Sequence, residues 1–238
     1  MRSGGRDSGP WEVCLKGKGI LVVDIGGNNI KLKHADGEER RKVKSGPELT
    51  PDAMVVAVRT LVTDWAYDRV TLGCPGAVRG GRLVREPVNL GTGWVGFDFQ
   101  AAFDRPVELV NDAVMQAIGS YDGGKMLFLG LGTGLGAALV AEHVAVPLEV
   151  AHLPYKRKHS FEDCVGQRGL ERMGEKRWEK AVHDVVARLQ AALVADYVVL
   201  GGGNTKLLKK LPKDSRPGHN RNAFEGGARI WEEQFRVL

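Results

Sequence analysis

The sequence predicts an α/β protein of two related lobes, and three observations carry the prediction. A strand–glycine turn–strand unit stands near the start, over residues 19–34, and again over residues 126–141. Around these units, short β-branched runs alternate with amphipathic helical stretches, as in sheets covered by helices. A chain of 238 residues holds one large domain or two small ones, and 43% apolar residues suit a packed core.

In the first half, Gly19-Ile20-Leu21-Val22-Val23 reads as a buried strand. Asp24-Ile25-Gly26-Gly27-Asn28-Asn29 follows as a tight turn in which positive φ is cheap. A plain hairpin and a phosphate cradle both fit it, since such turns leave backbone N–H groups pointing outward. Asp24, at the strand end, is placed to hold a metal ion through water. Ile30-Lys31-Leu32-Lys33 alternates as a half-buried strand, and a third strand is expected near Glu39–Val43. Thr50 and Pro51 open a helix that runs from Ala53 to Trp65. Val70–Gly73 is a strand, Arg79–Arg85 a small hairpin, and Asn89-Leu90-Gly91-Thr92-Gly93-Trp94 a loop that suits a polyol ligand or a surface turn. Pro106–Val110 is a strand. Asn111-Asp112 then stands at a strand-to-helix switch, where a carboxylate is either a helix N-cap or a reactive group.

In the second half, Met126–Leu131 and Leu135–Ala141 flank the turn Gly132-Thr133-Gly134. This turn matches neither a P-loop nor a dinucleotide fingerprint, because a strand follows the glycines. Two such hairpins, one per half, point to two lobes facing one phosphate group. Glu149 and His152 stand three residues apart, either as a surface pair or as ligands. Ser160-Phe161-Glu162-Asp163 resembles a capping box for a helix ending near Met173. Residues 178–194 carry an apolar stripe at helical spacing, and Tyr197–Leu200 is a buried strand. Gly201-Gly202-Gly203-Asn204 leads into an expected helix over Thr205–Lys210, a candidate anion or nucleotide seat. Pro212–Asn222 reads as a polar loop, and Phe224–Phe235 as a last helix capped by Asn222 and Glu225.

Composition narrows the function classes. Cys14, Cys74 and Cys164 are widely spaced, so no structural zinc is expected, and scattered thiols fit a cytoplasmic, reducing compartment. No apolar run reaches transmembrane length, and Met1–Pro10 lacks a signal-peptide core. Residues 1–18 read as a disordered leader, too short for a DNA-binding helix pair; neither DNA nor membrane is an expected partner. The net charge of +5 and a pI near 9.1 permit a polyanionic ligand. Lys156, Arg157, Lys158, Lys206, Lys209 and Lys210 are the basic residues expected to help bind one.

Several of these stretches together resemble the ROK family of sugar kinases, over roughly residues 19–237. Asp24-Ile25-Gly26-Gly27-Asn28-Asn29-Ile30-Lys31 resembles its first phosphate motif. Leu131-Gly132-Thr133-Gly134-Leu135-Gly136 resembles the second, and Asn111-Asp112 the pair that carries the catalytic base. Glu149-x-x-His152 resembles the sugar-binding motif, and Val199-Leu200-Gly201-Gly202-Gly203-Asn204 the C-terminal adenosine-side motif. Within the family, the chain is most similar to the short polyphosphate glucokinase branch. Asn28 replaces the usual Thr, Ala151 replaces the usual Gly, and the cysteine-rich zinc motif of many members is missing.

The resemblance implies an actin-like ATPase (ribonuclease H-like) fold, with two lobes around a central cleft. Residues 19–110 would form the N-terminal lobe and residues 111–238 the C-terminal lobe, the last helix packing back on the first. It implies transfer of a terminal phosphoryl group from polyphosphate or ATP, with Mg²⁺, to the 6-OH of glucose. Asp112 would be the base; Asn89, Asn111, Glu149, His152 and Glu162 would bind sugar. Gly26, Gly27, Asn28, Gly132, Thr133 and Gly134 would hold phosphates. Gly201, Gly202, Gly203 and Asn204 would hold a nucleotide, and Asp24 the Mg²⁺ through water. A homodimer is expected. Two alternatives stay open: a non-catalytic sugar-binding protein of the same fold, which Asn28 and Ala151 motivate, and an ATP-dependent kinase for fructose or an N-acylated hexosamine.

Overall fold

The computed structural model describes residues 19–238 except Arg157, Asn220 and Gln234. The leader expected over residues 1–18 lies outside the described residues. The first half comprises β1 (Ile20–Ile25), β2 (Asn29–His34), β3 (Arg40–Lys44), α1 (Pro51–Leu61), β4 (Arg69–Cys74), β5 (Val78–Arg79), β6 (Arg82–Leu83), α2 (Phe99–Phe103) and β7 (Val107–Asn111). From α3 (Asp112–Ser120) the chain enters β8 (Lys125–Leu131), β9 (Leu135–Ala141), β10 (Val144–Leu148), β11 (Pro154–Lys156) and β12 (His159–Ser160). There follow α4 (Phe161–Val165), α5 (Gln167–Met173), α6 (Glu175–Leu193), β13 (Tyr197–Gly201), β14 (Ser215–Pro217), α7 (Asn222–Glu232) and β15 (Arg236–Val237).

The two halves repeat one topology. The first sheet has the order β3-β2-β1-β4-β7. The second has the order β14-β13-β8-β9-β10-β15. In each, an antiparallel three-strand meander (β1–β3, β8–β10) is extended by parallel strands on the far side of its first strand. β15 adds a parallel edge strand to the second sheet. β1 is buried along its whole length because helices cover both faces of its sheet, so it reads as an apolar run broken only by Asp24.

Three apolar cores follow from this layering. α1 and α2 cover the outer face of the first sheet, with Met54, Val58, Phe99 and Phe103 against Leu21, Val23 and Leu72. Thr50 starts α1 as its N-cap, its hydroxyl accepting from Ala53 N at 3.3 Å. α6 lays Trp178, Val182, Val185 and Leu189 on the outer face of the second sheet. α3 and α7 lie between the sheets and pack on each other. A Cβ at Gly119 would fall on the Asn222 carbonyl oxygen, and one at Gly226 on that of Met115, so the two backbones touch. α7 also seals β1 and β4: Thr71 Oγ1 donates to Gly227 O at 2.7 Å and accepts from Trp231 Nε1 at 2.9 Å.

Some expectations are corrected. α1 stops at Leu61, four residues before Trp65. The helix expected over 160–173 is two helices, broken at Gly166 in extended backbone. The helix expected after the triple glycine is a short 3-10 segment, Gly203–Leu207. The polar loop over 212–222 contains β14. Asn222 is not a cap: it is the first residue of α7, and its amide donates to Ser120 Oγ at 2.7 Å.

Candidate active site

A cavity of about 410 Å³ opens between the two sheets. Both glycine turns, the start of α3 and the segment after β10 converge on it. The β7–α3 junction places Asn111 and Asp112. Asn111 Oδ1 accepts from Ala113 N at 2.9 Å and Val114 N at 3.3 Å, and its Nδ2 donates to Gly76 O at 2.9 Å. Asn111 is therefore the N-cap of α3, and the cap reading of Asp112 is excluded. Asp112 is the first helical residue, with Oδ1 accepting from Ala113 N at 2.9 Å.

The Asp112 carboxyl is pushed up to about 6, first by burial and then by the neighbouring Asp24 charge. The backbone N–H of Ala113 and the Lys31 ammonium pull the other way without cancelling it. Asp24 is buried and sits behind the lining; its Oδ2 accepts from Lys31 Nζ at 3.2 Å. A carboxylate whose ionised form is disfavoured in a cleft is a functional-site signature.

The first glycine turn is closed by Gly26 N donating to Asn29 O at 3.0 Å and is tied to β3 by Ser45 N donating to Asn28 O at 3.2 Å. Its glycines do not use positive φ, contrary to expectation. Close approach explains Gly27 instead: a Cβ there would stand 3.0 Å from the Asn89 Cβ. Gly26, Gly27 and Asn89 line the cavity, whereas Asn28 is exposed outside it. The Asn28 departure from the family motif thus lies away from the lining.

The second turn is held from three sides. Asn204 Nδ2 donates to Gly132 O at 3.2 Å and to Gln167 Oε1 at 3.0 Å, and Gln167 N donates to Gly132 O at 3.1 Å. Glu162 Oε2 accepts from Leu135 N at 3.2 Å, and a Cβ at Gly134 would collide with that oxygen. Arg168 Nη2 reaches Glu162 Oε1 at 3.2 Å. Gly132, Thr133, Gly134 and Glu162 all line the cavity. Glu149, Ala151 and His152 line it too, with Glu149 and His152 exposed.

Of the triple glycine and its neighbour, only Gly202 reaches the cavity, and Gly201, Gly203 and Asn204 stand outside the lining. Asn204 acts on the second turn, as described. The expected helix N-terminus is absent there, so it offers no dipole for an anion. Gln116, Pro75 and Pro147 also line the cavity and were not singled out from the sequence. Among the described residues, no group of three or more His, Cys, Asp or Glu is arranged to hold a metal. No helix among them is long and apolar enough to cross a membrane.

Solved structures share this architecture. An inorganic polyphosphate/ATP-glucomannokinase from Arthrobacter sp. strain KM superposes with a TM-score of 0.78 at 23% identity, covering 91% of this chain and 99% of that one. A ROK family glucokinase from Streptomyces griseus, in complex with glucose and AMPPNP, superposes with a TM-score of 0.68 at 16% identity, covering 90% and 99%. Among curated proteins, the polyphosphate glucokinase of Mycobacterium tuberculosis (strain ATCC 25618 / H37Rv) is 26% identical over 215 residues, 79% of this chain and 78% of that protein. The polyphosphate glucokinase of Mycobacterium leprae (strain TN) is 26% identical over 203 residues, 76% of this chain; the match spans 62% of that protein's length. The ROK family profile matches residues 20–146, more than half of the 238-residue chain, and the chain belongs to the ROK family.

Proposed function

We propose that this protein transfers the terminal phosphoryl group of polyphosphate or ATP to a hexose, at the 6-OH of glucose. The observation that carries the reading is Asp112, a carboxylate with raised pKa on a cavity lined by two glycine turns and by the Glu149–His152 wall. The names of the relatives support the donor and the acceptor.

Such a transfer needs positioning and charge neutralisation more than covalent help. Asp112 accepts the hydroxyl proton. A base poised near 6 is ionised at neutral pH yet basic enough to take a proton in the transition state. Glu149, His152 and Asn89, all on the cavity lining, bond sugar hydroxyls. Glu162 braces the second glycine turn from the sugar side, and the remaining amide hydrogen of Asn111 is available to a hydroxyl. Gly26 and Gly132 spend their N–H groups within the turns, on Asn29 O and Gly134 O, and the N–H groups of Gly27, Thr133 and Gly134 are those offered to phosphate oxygens. Asn204 keeps the second turn in place rather than touching a nucleotide.

Mg²⁺ would neutralise the phosphate charge. Asp24 fits it in kind, since Mg²⁺ takes one or two carboxylates and completes its shell with water and phosphate oxygens. The test is a coupled assay that crosses a panel of hexoses with ATP and with polyphosphate, each plus Mg²⁺. Glucose 6-phosphate formation with at least one donor is expected. Sugar binding without turnover for every pair would refute the kinase reading.

A further inference from the structure

The phosphoryl-transfer reading leaves one charged surface unexplained. β2 and β3 are antiparallel, with Lys44 opposite Asn29, Lys42 opposite Lys31 and Arg40 opposite Lys33. Side chains alternate across a strand, and Ile30 and Leu32 are fully buried in the outer core. Lys31, Lys33, Arg40, Lys42 and Lys44 therefore share the other face, the one on which Asp24 lies. Two pairs of cations stand directly opposite each other, an arrangement that destabilises a sheet.

Little in the fold compensates them. Lys31 is paired with Asp24, and the Arg40 guanidinium lies 5.5 Å from the centre of the Phe224 ring. Among the described residues, no carboxylate lies within ion-pair distance of Lys33, Lys42 or Lys44. Lysines on an edge strand guard against edge-to-edge pairing. That purpose accounts for Lys42 and Lys44 on β3, but not for Lys31 and Lys33 on β2, whose two edges are both paired.

The face also has a direction. It begins at the first glycine turn, where Asn29 meets Lys44, and Lys31 ties it to Asp24 beside Asp112. It runs from residue 29 to residue 33, about 13 Å at ~3.3 Å per residue. It ends at Lys33 and Arg40, where the adjoining groove carries Asp36 and Glu38, and its Arg216 and Arg229 are matched by Asp122 and Glu233. Of the basic residues expected from the sequence, Lys156 pairs with Asp184 at 3.9 Å, and Arg157 lies outside the described residues.

We propose that the β2–β3 face carries the tail of a long inorganic polyphosphate whose terminal phosphoryl group lies at the glycine turns. The proposal rests on the polyphosphate reading above. It assigns to Lys33, Lys42, Lys44 and Arg40 the binding of phosphates beyond those that ATP can supply.

The test is Lys33→Thr/Lys42→Thr/Lys44→Thr in the full chain. Removing like-charge pairs should leave its thermal midpoint at or above that of the unmodified protein. Binding of long-chain polyphosphate and of tripolyphosphate is followed by calorimetry at several salt concentrations, alongside KM for ATP and glucose. Long-chain affinity should fall about tenfold or more at low salt. Its log–log salt slope should become shallower by about 2, at ~0.7 per cation on a single strand. Tripolyphosphate binding and both KM values should not change. Equal long-chain affinity in both proteins would overturn the proposal and leave polyphosphate use standing. An unmodified protein that binds no polyphosphate would overturn both. Binding without turnover, with affinity lost in the variant, would refute the donor reading while the binding face stands. Should the triple variant not fold, Lys42→Thr alone reads the same slope, with a change of about 0.7.

Discussion

Replacing Asp112 by Asn should weaken the enzyme and strengthen the protein. The Asp112 carboxyl moves from its ordinary 3.8 to about 6 in the fold, with burial as the first cause and the Asp24 charge as the second. A shift of one unit corresponds to about 1.4 kcal/mol, so ionised Asp112 opposes folding by up to about 3 kcal/mol. The sign follows from proton binding. Between about pH 4 and 6 the native state holds more protons than the unfolded chain, so stability is lost as pH rises through that window. Above about 6 the whole penalty is present; below about 4 it is gone.

The Asn amide accepts from Ala113 N as Asp does, and it carries no charge to bury. With screening by cleft water, Asp112→Asn should gain about 1–3 kcal/mol at pH 7.5 and almost nothing near pH 4. At about 2–4 °C per kcal/mol for a chain of this size, the gain is measurable in a thermal melt. In the same variant kcat should fall by roughly 10²–10⁴, because the amide cannot take the proton. Denaturant unfolding at both pH values, with glucose calorimetry and turnover, covers every arm. A variant that is less stable at pH 7.5, or changed equally at both pH values, would refute the burial argument. One with near wild-type turnover would remove Asp112 from the mechanism.

Three further outcomes are expected. The kcat/KM of the unmodified enzyme should rise with pH through about 6 and then level off, since the base must be ionised in the free enzyme; a profile flat from pH 5 to 8 would disprove this. Glu149→Ala should lose about 1–3 kcal/mol of glucose affinity with an unchanged melt, because Glu149 is an exposed wall residue; calorimetry with glucose reads it. Asn204→Ala should raise KM for ATP and polyphosphate alike and destabilise the fold by about 1 kcal/mol, as the second turn loses its latch; a KM change confined to ATP would instead favour a nucleotide contact.

The parts of this fold that were legible in the sequence are those whose signal is local. β1, β8 and β13 each carry an apolar run of four or more residues, and the α6 stripe keeps helical spacing over about five turns. α2 is only five residues long, too short for periodicity to register, and β15 is two residues that become a strand only by pairing with β10. The helix expected after the triple glycine fails for a local reason of its own. Thr205 Oγ1 donates back to Gly201 O at 2.6 Å, and Thr205 N bonds Gly202 O, which tightens the chain into a 3-10 turn.

The site divides in the same way. Most of the residues on the cavity wall, from Gly26 to Glu162, sit in short motifs that could be read in line, whereas Gln116, Pro75 and Pro147 do not. What the motif residues do for one another could not be read so. That Asn111 spends its oxygen on two helix N–H groups, that Glu162 props Leu135, and that Asn204 reaches back 72 residues to Gly132 are all facts of juxtaposition.

The position of α7 bears on the order in which the chain can fold during synthesis. Val22 and Thr71 belong to the first sheet, yet the groups that cover them, Gly227 and Trp231, are 156 to 205 residues further along. A chain made as far as residue 221 therefore has a first sheet with its outer face sealed by α1 and α2 and its inner face covered only in part, where α3 meets β4 and β7. Domains that fold as units while emerging do so only when their covering elements lie within the emerged segment. Here the part of the inner face around Val22 and Thr71 stays open to water until α7 has emerged. α7 then completes the cover of the first sheet, joining β1 and β4 to the segment Asn222–Glu232.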